Sequence, residues 1–140
     1  QVSDALQAAH INANMQAALE HHPEAFAPVS MLFVKMSVNG HRLNGFVDSG
    51  AQSTIISKEC AERCQMGHLV DTRFSGIAKG VGTGKILGRI HAVVVAVGTQ
   101  HLSCALTVME GNIGPDVIFG LDMLKRHQVW LYLYGILIYI

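Results

Sequence analysis

The segment Phe46-Val47-Asp48-Ser49-Gly50-Ala51 contains the residue types that hold a carboxylate in a tight turn. Two apolar residues precede Asp48, a hydroxyl residue follows it, and Gly50 permits a sharp change of backbone direction. This order is typical of a carboxylate at the end of a buried strand. A surface turn is the simpler interpretation, but the flanking apolar residues and the run 51–56 favour a functional site.

A pair of carboxyl groups can hydrolyse a peptide bond. The ionised group removes a proton from water while its protonated partner donates to the substrate carbonyl. Two carboxyls about 3 Å apart cannot both ionise, so they act as a pair. The chain of 140 residues contains one such turn. If Asp48 is catalytic, the second carboxyl must come from a second copy, with Ser49 and Gly50 bracing the pair and Ala51 lining its floor.

A glycine-rich segment, Gly76-Ile-Ala-Lys-Gly-Val-Gly-Thr-Gly-Lys85, lies between apolar stretches. It does not fit a phosphate-binding loop, because Lys79 stands where the Walker pattern needs Gly and Ile86 where it needs Ser or Thr. The residues that follow favour a strand, so no helix N-terminus is available for a phosphate. The segment predicts a β-hairpin, either a flap that closes over a substrate or only a flexible loop.

Composition narrows the class of protein. Ten Lys and Arg balance ten Asp and Glu, so no basic surface for nucleic acid is expected. Apolar residues make up 50% and charged residues 14%, which favours an oligomer over a monomer. Cys60, Cys64 and Cys104 cannot all pair within one chain, which favours buried thiols in a reducing compartment, the cytoplasm and also the nucleus. Neither a signal peptide nor a membrane span is apparent, so we expect a soluble protein.

Two regions are expected along the chain. Residues 1–28 predict a helical segment and a connector, with the apolar residues Ile11, Met15 and Leu19 on one helical face. Ser3 or Asp4 is the expected N-cap, and Pro23 disfavours helix at the residue before it. Residues 29–140 predict a mostly β domain that positions the candidate site.

The strands of this domain are expected at 31–38, 43–47, 86–97, 102–108, 117–119 and 129–140. Asn39-Gly40 predicts a tight hairpin turn, and the returning strand delivers Asp48 at its end. A short helix from about 58 to 65, capped by Ser57, and a helical turn or two at 120–127 complete the prediction.

Together these segments resemble a retropepsin, the retroviral type of aspartic protease. They resemble more closely a cellular branch, the DNA-damage-inducible (Ddi) ubiquitin-shuttle proteins. The resemblance runs from about Ile11 to Gln128. It is carried by Pro23-Glu24-Ala-Phe26, Met31-Leu32, Val38-Asn39-Gly40, Phe46-Val-Asp-Ser-Gly-Ala-Gln52, Cys60-Ala-Glu-Arg-Cys64, Gly76-Ile-Ala-Lys-Gly-Val-Gly-Thr83 and Gly120-Leu-Asp-Met-Leu-Lys-Arg-His-Gln128.

The resemblance implies a retropepsin-like closed β-barrel with one or two short helices, assembled as a homodimer with Asp48 of each chain in one cleft. It implies a hydrolase that needs neither a metal nor an organic cofactor. The balanced charge and the lack of an apparent membrane span predict no nucleic-acid or membrane partner. The flap that binds substrate would be formed by Lys79, Gly80, Val81, Gly82, Thr83 and Gly84.

The implied activity is that of an aspartic endopeptidase acting on polyubiquitylated or proteasome-directed proteins in the ubiquitin-proteasome pathway. Ubiquitin and the proteasome would be contacted through ubiquitin-like and ubiquitin-associated domains, which these residues do not contain. The alternative is a catalytically weak module for dimerisation and substrate docking.

Two features depart from the pattern of the family. Leu121 stands where viral retropepsins usually carry an Arg that ties the late helix to the active-site region, although the cellular branch shares the Leu. The tail 129–140 is almost entirely apolar, where family members have polar turn residues. Its alternation favours a strand with Gly135 at the only break.

Overall fold

The computed structural model describes residues 1–29, 31–80, 82–133 and 136–139. The chain forms two compact units, residues 1–31 and residues 32–140. The domain boundary predicted from the sequence lies between residues 28 and 29. Within the described ranges, no helix combines the length and apolar character needed to cross a membrane.

The first unit is helical, as predicted. Helix α1 spans Val2–His21, and a 3₁₀ turn follows at Pro23–Phe26. The predicted caps Ser3 and Asp4 are wrong, because the N-cap is Gln1 and its side chain makes no capping bond. Since the helix begins at Val2, Asp4 lies inside the first turn, where its negative charge interacts favourably with the positive end of the helix dipole. None of the residues of α1 is buried.

The second unit is mostly β-structure, as predicted. Its two short α-helices are α2 (Lys58–Arg63) and α3 (Leu121–Arg126), and its 3₁₀ turns lie at Gly67–Leu69 and Thr72–Phe74. Its strands are β1 (Phe33–Val38), β2 (His41–Val47), β3 (Ile55–Ser57), β4 (Gly76–Gly80), β5 (Gly82–Val97), β6 (Gln100–Met109), β7 (Val117–Phe119), β8 (Trp130–Leu133) and β9 (Ile136–Tyr139).

The main sheet closes into a barrel. Its strand order is β1-β2-β7-β3-β6-β5-β4, and β1 also pairs with β5. That extra pairing joins the six strands from β1 to β5 in a ring, with β4 attached outside it to β5. The pairs β2–β7 and β3–β6 are parallel, whereas β3–β7 is antiparallel. The predicted closed β-barrel is confirmed.

The hairpin between β1 and β2 forms as the sequence predicts. Asn39 and Gly40 have φ angles of 50° and 74°, so both central residues adopt the left-handed conformation that a two-residue hairpin turn requires. The register then pairs Val38 with His41 and Phe33 with Phe46. This register fixes where β2 ends, and therefore where Asp48 begins the next loop.

Helix α2 shows how a local signal sets a boundary. The Ser57 hydroxyl accepts a hydrogen bond from the Cys60 N–H at 3.1 Å, as the predicted N-cap should. The helix ends at Arg63, short of the predicted residue 65. Gln65 has a φ of 59°, a left-handed conformation that cannot continue a right-handed helix.

The barrel interior is filled by side chains that alternate along the strands, together with residues of α2 and α3. The three cysteines are among them, which fits the prediction of buried thiols. The buried apolar residues are Met36, Val38, Leu43, Ile56, Cys60, Ala61, Cys64, Met66, Ile90, Val95, Cys104, Leu106, Val108, Val117, Phe119, Met123 and Leu124.

The C-terminal tail differs from its prediction as a single strand. It forms a hairpin of β8 with β9, a separate two-stranded antiparallel sheet in which Trp130 pairs with Tyr139. The predicted break at Gly135 lies outside the described residues. The alternation of side chains looks the same in one long strand and in two short strands that run in opposite directions. It therefore could not predict that the tail turns back and pairs with itself. The pairing covers one edge of each apolar strand.

Leu106→Ala tests the core of the barrel. Leu106 is 1% exposed in the middle of β6, so its truncation should lower the free energy of unfolding by about 2–5 kcal/mol. Val94→Ala on the adjacent β5 is the control, because Val94 is 58% exposed and should cost about 1 kcal/mol or less. Urea denaturation measures both variants. Equal losses would contradict the assignment of inner and outer faces.

Candidate active site

Asp48 lies where the sequence predicts it, immediately after β2. The last pairs of the parallel ladder join Phe46 to Ile118 and Val47 to Phe119. The Asp48 N–H then donates to the Phe119 carbonyl at 3.0 Å, which continues the ladder by one more bond. The backbone of Asp48 is therefore fixed by the barrel.

The Asp48 carboxylate is half-buried and held by its own turn. Its Oδ1 accepts from the Gly50 N–H at 2.8 Å, and its backbone carbonyl accepts from the Ala51 N–H at 3.2 Å. In the described part of the chain, Oδ2 accepts no hydrogen bond and no second carboxyl contacts Asp48. One carboxylate oxygen is oriented, and the other is available to water or to a second carboxyl group.

The other predicted residues of the turn occupy different positions. The Ser49 side chain is exposed, and within the described ranges it makes no hydrogen bond. Gly50 supplies the N–H that orients the Asp48 carboxylate. Ala51 is half-buried, and its carbonyl accepts from the Leu121 N–H at 2.8 Å. Residue 121 therefore binds the loop through its backbone, a contact that does not depend on the side-chain type.

A buried contact between Thr54 and Asp122 braces the loop from below. Thr54 is 0% exposed, and Asp122 is the second residue of α3. The Asp122 carboxylate accepts from the Thr54 hydroxyl at 2.7 Å and from the Thr54 N–H at 3.1 Å. The Thr54 hydroxyl oxygen in turn accepts from the Gly120 N–H at 3.1 Å. These bonds join the far end of the loop that follows Asp48 to the start of α3.

Two backbone contacts complete this brace. The Asp122 N–H donates to the Gln52 carbonyl at 3.1 Å. At Gly120 a Cβ would lie 2.6 Å from the Ser53 carbonyl oxygen and 2.9 Å from that of Ala51, closer than real Cβ atoms approach. Glycine is therefore required at residue 120, because the backbone directly after β7 packs against the backbone of residues 51–53.

Thr54, Gly120 and Asp122 were not singled out as site residues from the sequence. Thr54 precedes an apolar run, and Asp122 opens a short helix, where a carboxylate ordinarily serves the helix dipole. The only indication in the sequence was that the polar Thr54 stands directly before two Ile residues. The partner could not be inferred, since Thr54 and Asp122 are 68 residues apart.

The predicted flap is a β-hairpin of β4 with β5. Lys79 pairs with Thr83 and Gly80 pairs with Gly82, and Gly84 pairs with Ala78 on the same ladder. Val81 lies outside the described residues. At the base of the hairpin, Ile77, Lys85 and their neighbours line an open cavity of about 600 Å³.

The segment before the flap is anchored to β5 by Asp71. Its backbone exchanges two hydrogen bonds with Arg89, of 2.9 and 3.1 Å. Its carboxylate accepts from Arg73 at 2.7 and 2.9 Å and lies 2.8 Å from His91 Nε2. The hydrogen bonds from Arg73 and then from His91 hold the pKa of Asp71 well below its ordinary value of 3.8. Phe74 packs edge-on against the His91 ring, with centroids 4.9 Å apart.

The thiols do not offer a competing nucleophile. Burial, followed by the neighbouring Cys64, raises the pKa of Cys60 to about 12. Burial also raises the pKa of Cys104 to about 12. Both thiols are therefore protonated at neutral pH, whereas nucleophilic attack requires the thiolate. Among the described residues, no three His, Cys, Asp or Glu side chains group closely enough to hold a metal ion.

Comparison with known proteins places this site in a family. The aspartyl protease family model matches residues 23–132, and the chain belongs to that family. The crystal structure of the retroviral protease-like domain of Ddi1 from Leishmania major superposes with a TM-score of 0.66 at 39% identity, covering 81% of this chain and 96% of that one. The chain is therefore a retropepsin-like domain of the Ddi type.

Curated relatives agree with this assignment. The chain is 53% identical over 127 residues to DNA damage-inducible protein 1 of Cryptococcus neoformans, covering 91% of this chain and 29% of the relative. It is 52% identical over 118 residues to UBA domain-containing protein Mud1 of Schizosaccharomyces pombe, covering 84% and 35%. It is 51% identical over 127 residues to Protein DNA-DAMAGE INDUCIBLE 1 of Arabidopsis thaliana, covering 91% and 30%. The chain thus spans about a third of the length of these relatives.

Asp122→Ala tests the brace under the loop that follows Asp48. The variant leaves the buried Thr54 hydroxyl and N–H without their acceptor, which should lower the free energy of unfolding by about 1–3 kcal/mol. Glu110→Ala is the control, because it removes an exposed carboxylate and should change stability by less than about 0.5 kcal/mol. Chemical denaturation measures both. A loss for Asp122→Ala no larger than that of the control would show that the contact does not stabilise the loop.

Asp71 predicts a pH dependence of stability. Because the folded-state pKa of Asp71 is lowered, the ionised group stabilises the fold above about pH 4 and loses this effect as the pH falls below 3.8. The urea midpoints of wild type and Asp71→Asn should therefore differ at neutral pH and converge as the solution is acidified. Asp4→Asn, at an exposed site, controls for the loss of a carboxylate. A difference that stays constant below pH 3.8 would contradict the role of Asp71.

Proposed function

We propose that the chain is a homodimeric aspartic endopeptidase in which Asp48 of each copy contributes one carboxyl to a shared pair. The observation that carries this proposal is the geometry of Asp48 itself. One of its oxygens is oriented by the Gly50 N–H, and in the described residues no second carboxyl reaches the other. A single oriented carboxylate is half of the acid–base pair that the chemistry needs, and a two-fold axis through the turn supplies the other half.

The reaction follows from the two protonation states of the pair. The ionised Asp48 takes a proton from the bound water, which attacks the carbonyl carbon of the scissile peptide. The protonated Asp48 of the second copy donates to the carbonyl oxygen. Collapse of the tetrahedral intermediate transfers a proton to the leaving nitrogen and breaks the C–N bond, which restores one shared proton.

The residues around Asp48 hold the pair in position. The two hydrogen bonds of Thr54 to Asp122 and the bonds to the Phe119 and Asp48 carbonyls restrain the loop, so the carboxylates approach each other with little loss of conformational freedom. Ser49 is exposed in the single chain, and in the proposed dimer it would contact its equivalent across the two-fold axis. The hairpin at 79–84 covers an extended substrate, whose backbone pairs with it as a strand.

Ubiquitylated or proteasome-directed proteins are the proposed substrates. The support is the likeness to the DNA damage-inducible 1 proteins and to a relative named as UBA domain-containing. We place the activity in the cytoplasm and also in the nucleus, as the unpaired cysteines favour. Contacts with ubiquitin or the proteasome would be made by other parts of the full-length protein.

Asp48→Asn tests the shared site. The variant keeps the shape of the side chain but cannot ionise, so cleavage should fall by at least about 10²-fold while the dimer persists. Wild type and variant are compared on an unfolded polypeptide and on a polyubiquitylated protein between about pH 4 and 7.5. Asp4→Asn, at an exposed position on α1, is the matched control and should cleave like wild type.

Mixing the two proteins distinguishes a shared site from two separate sites. If each active site uses both copies, excess Asp48→Asn protein should suppress wild-type activity by forming mixed dimers, and wild-type activity should fall more than linearly on dilution. Activity unaffected by the added variant would rule out a shared pair. Silence of wild type on both substrates, with a dimer confirmed, would favour the docking module.

A further inference from the structure

The first half of strand β1 has an open edge. On one side β1 pairs with β2 over its whole length, from Phe33 to Val38. On the other side β5 pairs with it only at Ser37 and Val38, after which β5 ends at Val97. Within the described chain, no strand pairs with this second edge from Phe33 to Met36. The barrel is therefore closed by β5 at the C-terminal end of β1 and open at the N-terminal end of that strand.

The backbone of this edge has groups available for pairing. The Val47 N–H donates to the Leu32 carbonyl at 2.9 Å, which makes that pair a hydrogen-bonded one. Bonded and non-bonded pairs alternate in an antiparallel ladder, so the Phe33–Phe46 and Lys35–Asn44 pairs are non-bonded. The Asn44 N–H accordingly points away and donates to Asp116. The N–H and C=O groups of Phe33 and Lys35 therefore face the open edge.

A positively charged groove lies on the outer face of β1 and β2, next to this edge. It has a volume of about 380 Å³, and its charged lining residues are Lys35 and Arg42, without an acidic residue among them. Both side chains are exposed, and neither forms an ion pair in the described residues. The nearby Asp116 does not neutralise them, because its carboxylate is bound by Arg63 at 2.8 Å and by the Asn44 N–H at 2.9 Å.

The outer face of the edge combines charge with an apolar end. Phe33, Lys35 and Ser37 alternate onto the face of β1 that points away from the buried Met36 and Val38. The Phe33 ring is 52% exposed and contacts Phe46, with centroids 5.6 Å apart. A strand laid along this edge would place every second side chain on this face, so a strand that is acidic at alternate positions would bring its carboxylates beside Lys35.

We propose that this surface, the β1 edge groove formed by Phe33, Lys35, Ser37, Arg42 and Asn44, binds an extended acidic polypeptide segment as an added strand. Backbone hydrogen bonds to Phe33 and Lys35 supply the pairing, and Lys35 and Arg42 select negative charge. The proposal is independent of catalysis, because none of these residues touches the Asp48 carboxylate. Nucleic acid fits less well, since two cations neutralise few phosphates on a chain with net charge +0.

Binding is measured on the full chain carrying Asp48→Asn, so that the probe is not cleaved. The probe is a fluorescein-labelled peptide of about eight residues with alternating Glu and Val, a length typical of a strand. Fluorescence anisotropy at low salt should show saturable binding that weakens as salt is added. A peptide of the same length with Gln in place of Glu should bind several-fold more weakly.

Two double variants locate the binding site. Lys35→Gln with Arg42→Gln should raise the Kd by about threefold or more, the range expected for exposed charge pairs. Lys125→Gln with Arg126→Gln removes the same charge from the end of α3 and should leave the Kd unchanged. A Glu–Val peptide that is N-methylated at its Glu residues keeps its charge but loses the N–H groups that would face Phe33 and Lys35, and it should not bind. In NMR spectra, the Phe33 and Lys35 amide signals should shift on binding.

Several results would overturn the proposal. Equal weakening by both double variants would mean that binding follows net charge alone. Undiminished binding of the N-methylated peptide would exclude strand addition. Absence of binding to any Glu–Val peptide, or tighter binding of a thymidine oligonucleotide at the same site, would exclude an acidic polypeptide as the ligand. None of these results bears on the proposed activity of Asp48, which is tested separately by the Asp48→Asn experiment.

Discussion

The contact between Thr54 and Asp122 is the constraint on which the arrangement of the site depends. It is fully buried at Thr54, and it ties a loop that leaves β2 to a helix that begins after β7. Strands β2, β7 and β3 lie side by side, so the loop must cross β7 to pass from β2 to β3. Such a crossing leaves loop backbone groups beneath the turn without strand partners. The Asp122 carboxylate satisfies the Thr54 N–H, and the Leu121 and Asp122 N–H groups satisfy the Ala51 and Gln52 carbonyls.

This brace explains how a short, partly exposed turn keeps a defined carboxylate. Loops ordinarily carry function at the cost of mobility. Here the first residue of the turn extends a parallel ladder, through the bond from Asp48 to Phe119, and the last residue is fixed by Asp122. Only Ser49, Gly50 and their neighbours remain on the surface. The part of the loop that is exposed is therefore the part that a second copy could meet.

Much of this could be predicted from the sequence, and the limits have physical causes. The Asn39-Gly40 turn, the Ser57 cap and the strand that ends before Asp48 depend on nearby residues, and each is found as expected. The N-cap of α1 was misplaced, because several polar residues lie near the start of the helix. The helix begins directly after Gln1, before Ser3 and Asp4. The tail hairpin and the Thr54–Asp122 contact depend on which distant residues meet. The local sequence pattern does not show which distant residues meet, whereas resemblance to a family of known fold predicts the whole topology.

The C-terminal hairpin and the open edge of β1 differ in character, and this difference separates two kinds of interaction. The strands β8 and β9 are apolar and cover one edge of each other, which removes part of the surface most prone to aggregation. The outer face of β1 beside its open edge has a lysine, with an arginine on the neighbouring strand, and Phe33 is its apolar residue. Charge on an edge strand opposes pairing with a second copy of the same edge, because like charges would lie opposite each other. The same charge favours a strand of opposite sign, so the feature that protects the edge from self-association also defines the partner it can accept.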